Sequence, residues 1–516
     1  MAKVDYFCAN DLREQLGRKT ARGGLALATS QLTSTAIQFA SIPILARMLS
    51  PEDFGLFAMA TVVSGLANMF VDAGLSAATV QEEHLTPQQS TNLFWLGILT
   101  SSTVALCVFL IAPLVAWIYQ EPRLANITRA LAASFVLAGL TIQHRSLLQR
   151  GMQLWTLALI TIVAAITAQG IAVLWAWHFY DTPADYWALV LIPIALQATQ
   201  MIGAWATCHW RPSFPTRNAG SRAHIAFGMN LTGFSLMNYF TRSADRLAIG
   251  LWNGAESLGF YDRAYRFASA PIEQINAPLR SLLLPAMSRV AGDDSRFHRS
   301  TERVLLLMHV TIGPALIILG IGSQWWIPLL LGSGWEPAIP IFALLAIAGL
   351  TQPTRSVLGM SFLARGQSNA LFRYSIFDTP ITLASFLAVF LAGPQGLTVS
   401  YALCTLFVRT PLMIYWSARH DIVKAGVPLR SLRDTMPLWA VTAATTGLLV
   451  FWWTPQSVAH GAVAITLLAL VIWTFFLFAT QFGRRIQVEL YTLLNMQFSS
   501  KQQRISPPND SATISD

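Results

Sequence analysis

The sequence predicts an all-α polytopic membrane protein of about fourteen transmembrane helices, with two six-helix lobes in parallel repeat and two further C-terminal helices. Three observations lead there. Only 11% of the 516 residues are charged and 54% are hydrophobic, whereas a soluble domain carries roughly 25% charged residues. The apolar residues come in runs of about twenty rather than in alternation, and that is the length a helix needs to cross a bilayer. The basic residues concentrate in alternate connections between those runs, as the positive-inside rule requires.

Residues 1–23 are polar, lack the apolar stretch of a signal peptide, and read as a cytoplasmic N-terminal segment. Spans near 24–46, 54–75, 92–116, 124–142, 154–177 and 186–208 make the first lobe, 24–208. A basic cytoplasmic linker, 209–224, precedes spans near 225–250, 268–288, 304–324, 338–362, 374–392 and 397–418, the second lobe, 225–418. Spans near 437–453 and 459–481 close the membrane part, 437–481, and the Pro/Ser-rich residues 497–516 read as a disordered cytoplasmic tail. The least regular spans are 124–142, which contains Arg129, and 268–288, which contains Arg280, Pro271, Pro278 and Pro285.

With the N-terminus inside, the connections on that side hold twenty-four of the 34 Lys and Arg residues. The outer side holds only Arg47, Arg123, Arg263 and Arg266. Both termini are therefore placed in the cytoplasm. The net charge of +9 follows from this topology and does not call for nucleic acid. One connection, 76–91, carries Glu82 and Glu83 and no basic residue, but acidic residues weigh little in the rule.

An internal repeat organises the spans. Shifted by 204 positions, PEDFGLF (51–57) lies over AESLGFY (255–261), with Glu52 on Glu256 and Gly55 on Gly259. In the same register DAGL (72–75) lies over NAPL (276–279), and Ser34, Gln38 and Ser41 lie over Asn238, Arg242 and Asp245. The copies are six spans apart and share one orientation, the arrangement of transporters whose two bundles rock about a central site.

The stretch 225–267 carries the chemistry. Asn230, Asn238, Arg242 and Asp245 fall at spacings of 8, 4 and 3, on or near one helix face, and Arg246 follows directly. A charge near mid-bilayer costs between ~2.5 and ~17 kcal/mol, so such groups face a bundle interior or a wet cavity. The intramembrane cations are all arginines; Lys3, Lys19, Lys424 and Lys501 lie outside the spans. Arginine stays charged and grips phosphate with a planar fork, so Arg242, Arg246, Arg280 and Arg355 around one cavity would suit a pyrophosphate. Bland readings stand beside these. Arg242 and Asp245, three residues apart, can neutralise each other, and Arg355 and Arg409 can snorkel to a surface. Arg129 and Arg409 are expected to be structural. Asp72 serves either as a coupling or ion-pair group or as the cap of the turn that follows. Gln31 and Gln38 line the cavity as sugar-binding groups or bond helix to helix. Cys8, Cys107, Cys208 and Cys404 are scattered and read as small core residues, so neither a metal site nor a disulfide is expected. No nucleophile triad, phosphate loop or dinucleotide fingerprint appears.

RMLSPEDFGLFAMA, VDAGLSAATVQ and NYFTRSADRLAIGLWNGAESLGFYDRAYRF resemble the Wzx-type lipopolysaccharide and exopolysaccharide flippases. These are polysaccharide transporters of the multidrug/oligosaccharidyl-lipid/polysaccharide superfamily. The resemblance covers about residues 20–420. It implies two six-helix lobes around a central cavity, usually with two further helices. It implies movement of an undecaprenyl-pyrophosphate-linked oligosaccharide from the cytoplasmic to the outer leaflet of the bacterial inner membrane, with lipids and other polysaccharide-assembly proteins as partners. No cofactor is expected beyond coupling to protons or Na+. A cationic cavity is typical of the family, and Arg242, Asp245 and Arg246 match its charged seventh span. The alternatives are a drug or small-molecule antiporter of the same superfamily, or a membrane-bound glycan polymerase or ligase. The all-arginine cavity argues against the first and the short outer connections against the second.

Overall fold

Hydrocarbon supplies no hydrogen bonds, so each apolar run must satisfy its backbone within itself, and every described span is a helix. The protein is seen in a computed structural model that describes residues 16–72, 74–82, 85–215, 222–452, 460–464 and 467. The N-terminal fifteen residues, most of the expected last span and the 497–516 tail lie outside that set.

The chain opens with α1 (Leu16–Met48), α2 (Pro51–Asp72), the short α3 (Leu75–Gln81) and α4 (Pro87–Tyr119). It continues with α5 (Arg123–Arg150), α6 (Leu154–His178) and α7 (Trp187–Thr207). Next come α8 (Arg222–Arg289), α9 (Asp294–Ile321), α10 (Ser323–Leu331), α11 (Ala338–Gly349) and α12 (Gln352–Ala364). Last are α13 (Ser368–Phe386), α14 (Val389–Cys404), a π-helical turn (Thr405–Arg409), α15 (Thr410–Arg419) and α16 (Gly426–Trp452). Among the described residues eight helical runs are long and apolar enough to span, and α11 with α12, bent by 41°, makes a ninth. That is fewer than the fourteen spans the sequence suggests. Among the long helices outside the count are α1 and α8, which carry the polar stripes.

Two compact units are each discontinuous in sequence. The first takes Met1–Arg266, Ile327–Phe342 and Thr379–Tyr401; the second takes Phe267–Trp326, Ala343–Asp378 and Ala402–Asp516.

In the first unit, small residues let helices approach closely. Ala67, Ala105, Ala132 and Ala138 pack with Val71, Val108 and Phe135 between α2, α4 and α5. Local chemistry sets the helix ends. Thr86 and Gln89 form a capping box on α4, with Gln89 N donating to Thr86 Oγ1 at 3.2 Å and Thr86 N to Gln89 Oε1 at 2.8 Å. Ser50 and Asp53 do the same for α2, with Ser50 N donating to Asp53 Oδ2 at 2.8 Å. Between α4 and α5, Arg123 Nε donates to Glu121 Oε1 at 2.8 Å, and this bond holds the Glu121 carboxyl below its ordinary range.

α8 is not one rod. Gly254 adopts φ 81° and ψ −177°, a backbone state open essentially to glycine alone. In a straight helix sixteen residues span about 24 Å, yet the Tyr261 hydroxyl lies 2.7 Å from Asp245 Oδ2. The chain therefore doubles back at Gly254. The sequence suggested an outer connection of 251–267; the turn is confined to Gly254, and helix resumes at residue 255.

The first arm of α8 runs antiparallel to α2. Tyr239 OH donates to the Val62 carbonyl, and Gly250 meets Met59. The start of the second arm then crosses the start of α2 reciprocally. A Cβ on Gly55 would overlap the Ala255 carbonyl oxygen, and one on Gly259 would overlap that of Pro51. Residues 51 and 55 are the repeat equivalents of 255 and 259, so each copy presents the same glycine to the same carbonyl of the other. Such reciprocity is the signature of a two-fold contact. Trp335 wedges in beside it, edge-on to Phe54 (5.4 Å) and Phe260 (5.8 Å), with its Nε1 donating to the Ala46 carbonyl at 3.2 Å.

The second unit is built on Phe297, Leu305, Met308, Leu316, Leu358 and Phe362. His309 fastens α16 to it: Nδ1 lies 3.0 Å from Ser431 Oγ and Nε2 2.9 Å from Thr354 Oγ1.

The glycine crossing makes a direct prediction. Gly55→Ala should cost about 1–3 kcal/mol through overpacking, read as a lowered Tm of the detergent-purified protein. Gly170→Ala, whose Cβ would meet nothing within 4 Å, should leave Tm unchanged or raised. Equal Tm values for the two variants would contradict the close crossing.

Candidate functional site

The hairpin in α8 gathers charges that are sixteen to twenty residues apart in sequence. Its hub is Asp262, whose side chain has no exposed surface. Arg263 Nη2 and Arg266 Nε reach Asp262 Oδ2 at 2.7 and 2.8 Å. From the other arm, Arg246 Nε lies 3.1 Å from Oδ1. It is not aligned for a hydrogen bond, so this contact is an ion pair only.

The next residue back, Asp245, is buried and is held separately. It accepts from the Tyr261 hydroxyl at 2.7 Å and from the Arg246 amide at 2.8 Å. Aromatic faces complete the setting. The Arg246 guanidinium sits 5.0 Å from the Tyr265 ring centre, and that of Arg263 sits 4.8 Å from that of Phe54, in the first-repeat motif.

Three guanidiniums thus surround the one Asp262 carboxylate, with Asp245 held beside them by Tyr261. Arg263 is buried and its Nε has no hydrogen-bond partner. The side chains of Arg246 and Arg266 are 21% and 45% exposed, so the cluster has an accessible edge. No metal-ligating cluster occurs among the described residues.

The sequence-predicted residues scatter. Asp245 and Arg246 lie in this cluster. Asn238, Arg242 and Arg280 lie on α8 with side chains outside the described set, so the Arg242–Asp245 pairing lies outside it too. Gln31 and Gln38 are exposed on α1. In that first-repeat copy Ser41 Oγ lies 2.8 Å from the Gln38 carbonyl and 2.7 Å from Gln169 Oε1, a neutral contact where the second copy has Asp245. Asp72 Oδ1 accepts from the Ser76 amide and hydroxyl at 3.0 and 2.7 Å, in the geometry of a cap on α3. Arg355 belongs to the second unit. Arg129 is exposed, with its guanidinium 5.6 Å from the Phe109 ring centre.

Sequence reasoning missed Asp262. The signal was present: Asp262 and Arg266 are four apart, the spacing of a helical ion pair. Assigning 251–267 to an outer connection had made those charges look solvated.

A family model described as "Polysaccharide biosynthesis protein" matches residues 44–340, more than half of the chain. Over 389 residues the chain is 25% identical to the lipopolysaccharide biosynthesis protein WzxC of Escherichia coli (strain K12), covering 75% of this chain and 79% of that one. It is 26% identical over 349 residues to the succinoglycan biosynthesis transport protein ExoT of Rhizobium meliloti (strain 1021), covering 67% and 69%. In fold it is similar to the lipid II flippase MurJ in an inward closed conformation, with a TM-score of 0.67 at 11% identity over 88% of this chain and 98% of that one.

The hub reading orders two substitutions. Asp262→Asn removes the anion shared by three buried or half-buried cations and should cost about 3–5 kcal/mol. Asp245→Asn keeps an acceptor for Tyr261 and should cost about 1 kcal/mol. Thermal unfolding of the purified variants checks the order, and a larger loss at Asp245 would remove Asp262 from the centre of the cluster.

Proposed function

The chain belongs to the polysaccharide biosynthesis protein family, and on that premise we propose that it flips undecaprenyl-pyrophosphate-linked oligosaccharide repeat units from the cytoplasmic to the outer leaflet of the bacterial inner membrane. It is a multi-pass membrane transporter of the Wzx type, not an enzyme. The observation that supports the substrate is the Asp262 cluster, where three arginines meet one buried carboxylate on a helix hairpin. A pyrophosphate is an acceptor for such donors, because guanidinium forks bind phosphate oxygens in pairs.

The physics fits a lipid-linked sugar. The glycan is polar and cannot cross ~30 Å of hydrocarbon unaided, while the polyprenyl tail stays in lipid. Alternating access supplies the path: inward-open binding, rocking of one lobe against the other, and outward release. The lobes are 24–208 and 225–418, joined by 209–224, with both termini cytoplasmic in accord with the distribution of basic residues. Arg242, Asn238, Arg280, Gln31 and Gln38 are assigned to the same passage, Arg242 and Arg280 toward the pyrophosphate and the amides toward sugar. Asp72 is assigned to its cap. Coupling is to protons or Na+, and the partners downstream are other proteins of polysaccharide assembly.

Deletion of the gene followed by lipid analysis tests this reading. Lipid-linked repeat units should accumulate on the cytoplasmic face, and Arg246→Ala should restore at most about a tenth of outward transport in complementation, given the worth of a charged hydrogen bond. Normal outward appearance of repeat units without the protein would overturn the proposal. Export of cationic dyes with no effect on glycan assembly would favour the antiporter, and lengthening of lipid-linked sugars by the pure protein would favour a polymerase.

A further inference from the structure

Two arginines within spans were expected to be structural, and they end in opposite settings. Arg409 does not snorkel: it is buried, with Nε 2.8 Å from Asp378 Oδ1 and Nη2 2.7 Å from Oδ2. Arg129, on α5, is exposed. Its guanidinium lies 5.6 Å from the Phe109 ring centre, and it has neither ion pair nor hydrogen bond among the described residues. A cation on the outer face of a spanning helix is costly unless it reaches water or an anion.

The surface beside Arg129 is not flat. α4 and α5 run antiparallel, with Gly139 against Gly97 and Ser101 and with Arg129 against Phe109. In that register Pro113 falls opposite Ala125, and Ala116 opposite Pro122. These side chains are short, and they leave an open notch of about 710 Å³ that Trp117 and Gln120 also line. On α5, Pro122, Ala125 and Arg129 follow one another at spacings of three and four, so the notch leads along one helix face to the arginine.

The depth suits a lipid head group. The 28 residues of α5 measure about 42 Å, close to the ~40–45 Å of a bilayer with its head groups and longer than its ~30 Å hydrocarbon core. Arg129 is seven residues from Pro122, about 10 Å along the axis, and so lies just inside the hydrocarbon boundary. Helical side chains lean toward the N-terminus, which for α5 is the end nearer this surface. Trp117 is 75% exposed at the rim of the notch, the position of an interfacial belt residue.

The charges on the connection between α4 and α5 are already matched. Arg123 Nε reaches Glu121 Oε1 at 2.8 Å, and Arg123 Nη2 also binds Glu52. Arg129 is left for a partner from the membrane. The anions available at this depth are head-group phosphates, whose paired oxygens match a guanidinium fork. Below the arginine, exposed Leu106 and Leu110 continue the same side of α4 as an apolar track for acyl chains.

We propose that the notch between α4 and α5 is a binding site for one anionic phospholipid, its phosphate held by Arg129 and its chains running past Phe109. The leaflet is the outer one on the proposed topology. The site itself needs only that α4 and α5 span the membrane, and it does not depend on what the protein transports.

The test is native mass spectrometry of the full-length protein in detergent, with phosphatidylglycerol, phosphatidylcholine or undecaprenyl phosphate added. The wild type should hold one phosphatidylglycerol about tenfold more tightly than phosphatidylcholine, and Arg129→Gln should abolish that preference. Arg129→Lys, which keeps the charge, should retain most of it. Ala125→Leu, which keeps the arginine and fills the notch, should weaken phosphatidylglycerol binding about tenfold at an unchanged Tm, which separates lost binding from lost folding. Arg433→Gln, at an exposed arginine paired with Asp434, should bind as the wild type does. Equal affinity for phosphatidylglycerol in the wild type and Arg129→Gln, or in the wild type and Ala125→Leu, would overturn the proposal. Undecaprenyl phosphate displacing phosphatidylglycerol in an Arg129-dependent way would also overturn it, by giving the notch to the polyprenyl lipid. So would a wild-type dimer that Ala125→Leu dissolves, because the notch would then be an interface between copies. None of these readouts involves transport, so failure of the lipid site leaves the flippase reading standing, and failure of complementation leaves the lipid site standing.

Discussion

Asp262 has no exposed surface, yet three guanidinium groups are arranged around it. A charge taken out of water loses several kcal/mol of hydration even after relaxation, so the pairing has to form as the chain folds. It can form only if the two arms of α8 lie side by side, and that depends on Gly254 taking a backbone state denied to other residues. The same turn places residues 255–259 where they cross α2. Hairpin, ion cluster and helix crossing are therefore one structural unit, and loss of the Asp262 carboxylate would be felt in all three.

The crossing also explains how a duplicated chain becomes asymmetric without losing its scaffold. Gly55 and Gly259 meet each other's carbonyl neighbours in the same way, so the contact tolerates no side chain in either copy. Away from it the copies are free to differ. Ser41 in the first copy makes a neutral bond to Gln169, whereas its equivalent Asp245 sits in a charged cluster. Charge is thereby concentrated in the second copy, on the hairpin that also packs along α2.

Two arginines mark where sequence reasoning holds and where it stops. Arg246 was legible because it follows Asp245 on a helical stripe within an apolar run, and helical periodicity is a local property. Arg409 was misread because its partner, Asp378, is thirty-one residues away on another helix, and no spacing rule relates them. Asp262 falls between these cases. Its bond to Arg266 is a local i,i+4 contact, but the significance of that contact depends on whether the segment is buried, and burial was set by the sharpness of the turn at Gly254. Asp72 was legible as a cap because its partner Ser76 is four residues on.

By itself the sequence determined the all-helical membrane class, most of the spans and the repeat of 51–57 in 255–261. These follow from apolar run length, charge placement and self-similarity, all of which are local or additive along the chain. Only the tertiary structure decided that the repeat copies cross at their glycines, that Asp262 is the hub of the described charges on the hairpin, and that Arg409 is buried against Asp378. Those outcomes depend on which helices become neighbours. That choice is made by the collective packing of small residues and the need to pair every buried charge, and neither is written in any one segment.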